Sequence, residues 1–131
     1  MLVVDGDATM RALLEKILVR DGYNVRLAED GDQALNLLRQ EPVDVVLADM
    51  KIPRLSGLEL LRILKREAPH IGIILMASRG DLHAVKDALL LGADEYIVRP
   101  FKSHEVSLVV ERVYWRIISE KRRQSTAGQS G

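Results

Sequence analysis

Residues 43–53 read VDVVLADMKIP, an apolar run that ends on an acid and is soon followed by a proline. The run from Val43 to Ala48 is almost continuously apolar, which is typical of a parallel strand buried on both faces of a sheet. Asp49 ends this run, and Pro53 prevents the strand from continuing. Because open α/β sheets place their chemistry at the carboxyl ends of parallel strands, Asp49 is the first candidate functional residue.

Short apolar runs alternate with segments of helical periodicity along the rest of the chain. We predict strands at residues 2–4, 23–28, 43–48, 71–77 and 96–98. We predict a first helix between its N-cap Asp7 and Gly22, and further helices at 31–40, 56–68, 82–91 and 103 to about 122. This βαβαβαβαβα order predicts an α/β fold in which helices cover both faces of a parallel sheet. Five strands in a chain of this size suit the flavodoxin-like (βα)5 sandwich with strand order 2-1-3-4-5.

The composition indicates one globular domain without a strong overall charge. Its 19 basic and 19 acidic residues give a net charge of zero, so no long-range field favours nucleic acid as a partner. The absence of cysteine excludes disulfides and thiolate chemistry. No apolar run reaches the roughly 18 residues of a membrane span. We expect a cytoplasmic domain at residues 1–122, followed by a polar C-terminal linker or tail at 123–131.

Two further strands deliver charged side chains to the edge that carries Asp49. The run from Leu2 to Val4 ends on Asp5, and the strand order makes this strand a neighbour of the one that ends on Asp49. The fifth strand ends near Arg99, whose guanidinium could bind a phosphoryl oxygen. Two carboxylates with a backbone carbonyl and waters suit Mg²⁺. The simpler interpretation of Asp5 and Asp49 is that both are solvated loop acids.

Four motifs follow one another along the chain: LVVD at 2–5, DMKIP at 49–53 with Gly57, GADEY at 92–96 and RPF at 99–101. In this order and spacing they resemble the receiver domain of two-component response regulators. The resemblance covers residues 1 to about 118.

This resemblance implies a signalling function for the chain. Asp49 would accept a phosphoryl group from a histidine kinase or phosphotransfer protein, with Mg²⁺ held by Asp5, Asp49 and the backbone carbonyl of Lys51. The fourth helix, fifth strand and fifth helix would report the phosphoryl state to an output domain or effector protein. Receivers commonly hold the peptide bond that corresponds to Arg99–Pro100 in the cis form, which we expect here as well.

Three positions depart from the pattern of this family. Gly6 stands where receivers carry a second acid that ligates the metal, so the resemblance implies weak Mg²⁺ binding. Ala77 stands at the position of a Thr or Ser that turns toward the phosphoryl group. Arg99 replaces a Lys, which keeps the charge but changes its shape. These changes leave open an alternative, namely an interaction module that works without phosphorylation.

The segment that begins at Asp5 is also similar to a motif of another protein family. Residues 5–9 read DGDAT, which is similar to the D-x-D-x-T signature of haloacid-dehalogenase-like phosphatases. In such an enzyme Asp5 would be the nucleophile and Asp7 a general acid, beside Mg²⁺. The match is five residues long, and it leaves the motifs at 49–53 and 92–101 without a role. We therefore predict that the chain is not an enzyme.

The last predicted helix carries apolar residues on two sides. One stripe has the spacing of a core-facing surface and consists of Val106, Val109, Val110, Val113 and Ile117. Leu108 and Trp115 lie seven residues apart on the opposite side, flanked by Tyr114 and Ile118. Because exposed large aromatic residues are common interface anchors, we predict a homodimer or an effector contact through this helix.

Overall fold

Five parallel strands form one sheet in the order β2-β1-β3-β4-β5, as predicted. The computed structural model describes residues 1–130, and side-chain environments up to residue 124. The strands are β1 (Leu2–Val4), β2 (Arg26–Ala28), β3 (Val45–Asp49), β4 (Gly72–Ser78) and β5 (Glu95–Arg99). The helices are α1 (Ala8–Arg20), α2 (Gly31–Gln40), α3 (Gly57–Glu67), α4 (Leu82–Leu90) and α5 (Ser103–Ser130), and a short 3₁₀ turn, Arg79–Asp81, precedes α4.

The sheet separates two apolar cores, because successive side chains of a strand point to opposite faces. On one face Val46 and Ala48 belong to a core that also includes Leu60 and Leu61 of α3. On the other face Val45 and Leu47 belong to a core that is completed by α1 and α5. All five residues of β3 are buried, which confirms a strand enclosed on both faces.

The register of the strands brings their carboxyl ends to one edge of the sheet. Val4 lies opposite Ala48 in the β1–β3 pair, so the residue that follows β1 comes beside the last residue of β3. In the β4–β5 pair Ser78 lies opposite Arg99. Asp5, Asp49 and Arg99 are therefore delivered to the same region by three different strands.

Two local predictions differ from the structure near α1. Strand β2 begins at Arg26 rather than at residue 23, because the backbone N–H of Tyr23 donates to the carbonyl of Leu18 and closes the end of α1. Gly22 has a φ of 95° in this turn, a conformation that favours glycine. Leu13 shares the apolar spacing of Met10, Leu14, Ile17 and Leu18 that predicts this helix, but it is exposed.

Helix α5 is longer than the sequence pattern indicated. It was expected to end at about residue 122, but it continues to Ser130. The small and polar composition of residues 123–131 suggested a linker, but such residues are also compatible with a helix. The proposed boundary between residues 122 and 123 stays a prediction.

Three ion pairs join α5 to the amino-terminal side of the sheet. Arg112 contacts Glu95 at 2.8 Å and Arg116 contacts Asp94 at 3.1 Å. Lys121 contacts Asp44, which precedes β3, at 2.6 Å. Together with the buried stripe of α5 they hold the later part of this helix against the end of the sheet opposite the acidic edge. In the part of the chain that the structure describes, no helix has the length and apolar character needed to cross a membrane.

The start of α3 packs directly on the end of β3, and glycine is required at this point. A Cβ at Gly57 would lie 2.6 Å from the carbonyl oxygen of Asp49 and 2.8 Å from the Cα of Met50. The backbone N–H of Gly57 also donates to the carbonyl of Met50 at 3.0 Å. Backbone atoms cannot move aside as a flexible side chain can. The close approach of α3 therefore fixes the loop that follows Asp49.

We expect Gly57→Ala to lower the free energy of unfolding by about 1–3 kcal/mol, because the added methyl group overpacks the contact with β3. Urea denaturation followed by circular dichroism measures this change. Gly80→Ala is the matched control, since a Cβ at that exposed glycine meets nothing within 4 Å. Equal stability of the two variants would show that α3 tolerates displacement from β3.

Candidate functional site

Asp5 and Asp49 are the two buried charged side chains among the described residues, with exposed fractions of 2% and 8%. Asp5 follows β1 and Asp49 ends β3, both at the carboxyl edge of the sheet. Burial of a carboxylate is unfavourable unless hydrogen bonds or opposite charges compensate for it. The interpretation of both residues as solvated loop acids is therefore wrong.

The carboxylate of Asp5 is only half satisfied. Its Oδ1 accepts a hydrogen bond from the backbone N–H of Asp7 at 2.8 Å. Its Oδ2 is buried and has no hydrogen-bond partner among the described residues. Burial raises the pKa of Asp5, and the nearby negative charge of Asp49 adds to the increase. An ionised Asp5 would therefore be stabilised by a cation placed at Oδ2.

The carboxylate of Asp49 has two partners. Its Oδ1 accepts a hydrogen bond from the backbone N–H of Lys51 at 3.1 Å, and its Oδ2 forms an ion pair with Nη2 of Arg99. Arg99 reaches this position from the end of β5, where the Arg99–Pro100 peptide bond is cis as expected. The Nε of Arg99 is buried and lacks a hydrogen-bond partner within the described chain.

The departures noted in the sequence each have a visible structural counterpart. Ala77 is 1% exposed and packs in the core, so β4 offers no hydroxyl at this point. A Cβ at Gly6 would lie 3.1 Å from Cδ of Pro53, which is a tight contact. The ammonium of Lys51 turns away to Asp81 at 3.4 Å. Asp7 uses its side chain to cap α1, accepting from the backbone N–H of Thr9 at 2.9 Å.

These residues fit a divalent cation that is held largely by water. In the part of the chain that the structure describes, no group of three or more acidic, histidine or cysteine side chains has metal-site geometry. Mg²⁺ nevertheless needs only one or two carboxylates when waters and phosphate oxygens complete its octahedron. The unpartnered Oδ2 of Asp5, buried beside Asp49, supplies the oxygen donor that such an ion would use.

Sequence reasoning missed one side chain at this edge. Arg11 donates from Nη1 to the backbone carbonyl of Asp5 at 2.7 Å. A signal for this contact was available, because side chains of a helix lean toward its N-terminus and Arg11 stands in the first turns after the N-cap Asp7. The pairing of Lys51 with Asp81 joins two loops that are distant in sequence, so no local pattern indicated it.

Comparisons with known proteins agree with this geometry. The family model of the response regulator receiver domain matches residues 1–111. The DNA-binding transcriptional regulator NtrC of Proteus hauseri is 36% identical over 110 residues, which cover 84% of this chain and 23% of that protein. The transcriptional regulatory protein CpxR of Klebsiella pneumoniae is 34% identical over 132 aligned residues, 98% of this chain and 55% of that protein. The chain thus spans between a quarter and about half of these relatives.

Solved structures give the same result. A response regulator receiver domain protein from Clostridium thermocellum superposes with a TM-score of 0.83 at 32% identity, covering 88% of this chain and 93% of the other. The receiver domain of NtrX from Brucella abortus also has a TM-score of 0.83 at 32% identity, with 86% and 96% covered. The fold, the acidic edge and the matched family model agree, and the chain belongs to the response regulator receiver domain family.

Proposed function

We propose that the chain accepts a phosphoryl group on Asp49 from a histidine kinase or phosphotransfer protein in the cytoplasm. The observation that supports this function best is the buried carboxylate of Asp49 beside Asp5, with Arg99 as its counter-ion. Asp49 ends β3 at the edge of the sheet and is 8% exposed, whereas the preceding four residues of β3 are fully buried. This combination of a nucleophile and a cation suits transfer of an anionic group.

The proposed transfer forms one bond and breaks another. An oxygen of Asp49 forms a bond to phosphorus, and the bond between phosphorus and the donor's imidazole nitrogen breaks. The nitrogen keeps the electron pair and takes up a proton from solvent, so the donor is left as a neutral histidine. Arg99 exchanges its contact with the free carboxylate for contacts with phosphoryl oxygens, so its positive charge stays in the site throughout.

Asp5, Asp49 and the backbone carbonyl of Lys51 would hold Mg²⁺ in this proposal. The ion would neutralise charge that develops on the phosphoryl oxygens. We expect its affinity to be low, because Gly6 provides no carboxylate and Arg99 already neutralises part of the charge of Asp49.

A second candidate function is an interaction module that works without phosphorylation. It is favoured by Gly6, which provides no carboxylate for a metal, and by Ala77, which provides no hydroxyl for a phosphoryl group. The retained Asp49–Arg99 ion pair at a buried site argues for the phosphoacceptor function.

The phosphatase interpretation has less support, because the Asp7 carboxylate caps α1 and is not free to act as a general acid near Asp5.

We propose that the phosphoryl state is relayed through α4, β5 and α5 to an output domain or effector. Large apolar side chains are exposed along α4 and β5, among them Leu89, Leu90 and Tyr96. On α5 Leu108 and Trp115 are 58% and 53% exposed. Tyr114 flanks them and packs edge-to-face on Trp115, with ring centroids 5.7 Å apart. With the half-buried Ile118, these α5 residues would form the contact of a homodimer.

Phosphorylation by a small phosphodonor should occur only when Mg²⁺ is present, and only while Asp49 is intact. We expect intact-mass analysis to show one added phosphoryl group on the unmodified sequence and none on Asp49→Asn, since the amide is a poor nucleophile. Asp44→Asn is the control, because that acid pairs with Lys121 away from the site. An equal adduct on Asp49→Asn would assign the reaction to another residue.

Gly6→Asp should bind Mg²⁺ about tenfold more tightly, because affinity for hard cations rises with the number and charge of the oxygen ligands. The Pro53 ring has to move by a few tenths of an ångström to admit the new Cβ. Calorimetric titration with Mg²⁺ measures the change. An unaltered affinity would mean that the acidic edge is not the metal site.

Trp115→Ala should weaken self-association by about tenfold or more, because a large exposed aromatic is a common interface anchor. Sedimentation equilibrium measures the dimer dissociation constant. Leu82→Ala removes a similarly exposed apolar side chain from α4 and should leave this constant unchanged. If the unmodified protein sediments as a monomer at every concentration, α5 does not mediate a homodimer.

A further inference from the structure

Three side chains near this edge of the sheet either lack a donor or already contact another group. Ala77 has no donor, and the ammonium of Lys51 pairs with Asp81. Arg11 donates to the backbone carbonyl of Asp5. A phosphoryl group on Asp49 would bring three anionic oxygens into this space. Of the side chains named here, only Arg99 both contacts Asp49 and retains an unused donor.

The guanidinium of Arg99 has the geometry to serve more than one oxygen. It carries five N–H donors in a fixed plane, whereas a lysine ammonium is a single point of charge. In the described structure Nη2 contacts the Asp49 carboxylate, while the buried Nε lacks a partner. A buried donor without a partner is unfavourable, so an additional acceptor oxygen at this point would be stabilising.

Arg99 lies diagonally across from Ala77 where β4 pairs with β5. Ser78 lies opposite Arg99, and Ala77 lies opposite Val98, one residue earlier. The methyl group of Ala77 is buried in the core and cannot compete with the guanidinium for phosphoryl oxygens. The two departures from the family pattern therefore occupy adjacent positions on neighbouring strands.

We propose that Arg99 supplies the main side-chain hydrogen bonds to a phosphoryl group on Asp49, with its planar fork compensating for the missing hydroxyl at Ala77. The inference rests on the proposed phosphorylation of Asp49. It makes Ala77 and Arg99 a coupled pair, because the effect of replacing Arg99 depends on the residue at position 77. Lysine at position 99 would then be deleterious in this chain unless position 77 regains a hydroxyl.

A double-mutant cycle tests the coupling, with beryllofluoride and Mg²⁺ as the probe of phosphoryl binding. We expect Arg99→Lys to weaken beryllofluoride binding by about tenfold or more, because a charged, forked contact is lost. Ala77→Ser should change the affinity by less than about threefold in the unmodified sequence and recover most of the loss in the Arg99→Lys background. Calorimetry measures the affinities, and circular dichroism verifies that each variant is folded.

A spectroscopic signal reports on the guanidinium itself. The ¹H–¹⁵N resonance of Arg99 Nε–H should shift when beryllofluoride binds, because this donor gains an acceptor. Arg112→Lys is the matched control, since Arg112 pairs with Glu95 at the opposite end of β5 and its replacement should leave binding unchanged.

Three outcomes would overturn the inference. Arg99→Lys could bind beryllofluoride as tightly as the unmodified protein, or Ala77→Ser could strengthen binding equally in both backgrounds. The third outcome is an Arg99 Nε–H resonance that does not move while binding occurs. If the unmodified protein and Asp49→Asn bind equally or not at all, the proposed phosphoacceptor function fails together with the inference.

Discussion

The parallel pairing of β1 with β3 is the constraint on which the site depends. These strands are far apart in sequence, and their neighbouring position brings Asp5 beside Asp49 at the edge where the strands end. Two carboxylates at close range repel one another, and burial adds to the cost. The remaining groups of the site compensate for these two negative charges. Arg99 neutralises Asp49, and backbone N–H groups of the following loops donate to both carboxylates.

Arginine in place of lysine at position 99 changes how the negative charge of Asp49 is neutralised. A guanidinium is more weakly hydrated than an ammonium and forms planar, forked contacts with carboxylates, so it is better suited to a partly buried ion pair. Arg99 can therefore hold Asp49 firmly in the absence of a bound anion. A phosphoryl group has to form more favourable hydrogen bonds with Arg99 than the free carboxylate does. The unpartnered Nε is the group through which it could do so.

Much of this arrangement could be predicted from the sequence, and the exceptions have physical causes. The apolar runs determined the strands, and their order implied that Asp5, Asp49 and Arg99 would meet. Leu13 is exposed although it shares the apolar spacing of α1, because this spacing does not show where the buried face of the helix ends. The extra length of α5 was missed because polar composition is compatible with both a linker and a helix. The contact of Lys51 with Asp81 depends on the relative position of two loops, which no local pattern encodes.

The ion pairs that join α5 to the amino-terminal side of the sheet determine how this helix can move. Exposed ion pairs contribute little individually, but three of them, at Arg112, Arg116 and Lys121, hold the later part of the helix against Asp44, Asp94 and Glu95. The start of α5 follows Arg99 by a few residues and is held by other contacts, namely a hydrogen bond from Ser107 Oγ to Asp21 at 2.6 Å and the buried side chain of Val106. We therefore expect the later part of α5 to stay in place when the carboxyl edge of the sheet changes. A displacement of Arg99 would then act first on the beginning of the helix, and through it on the exposed Leu108.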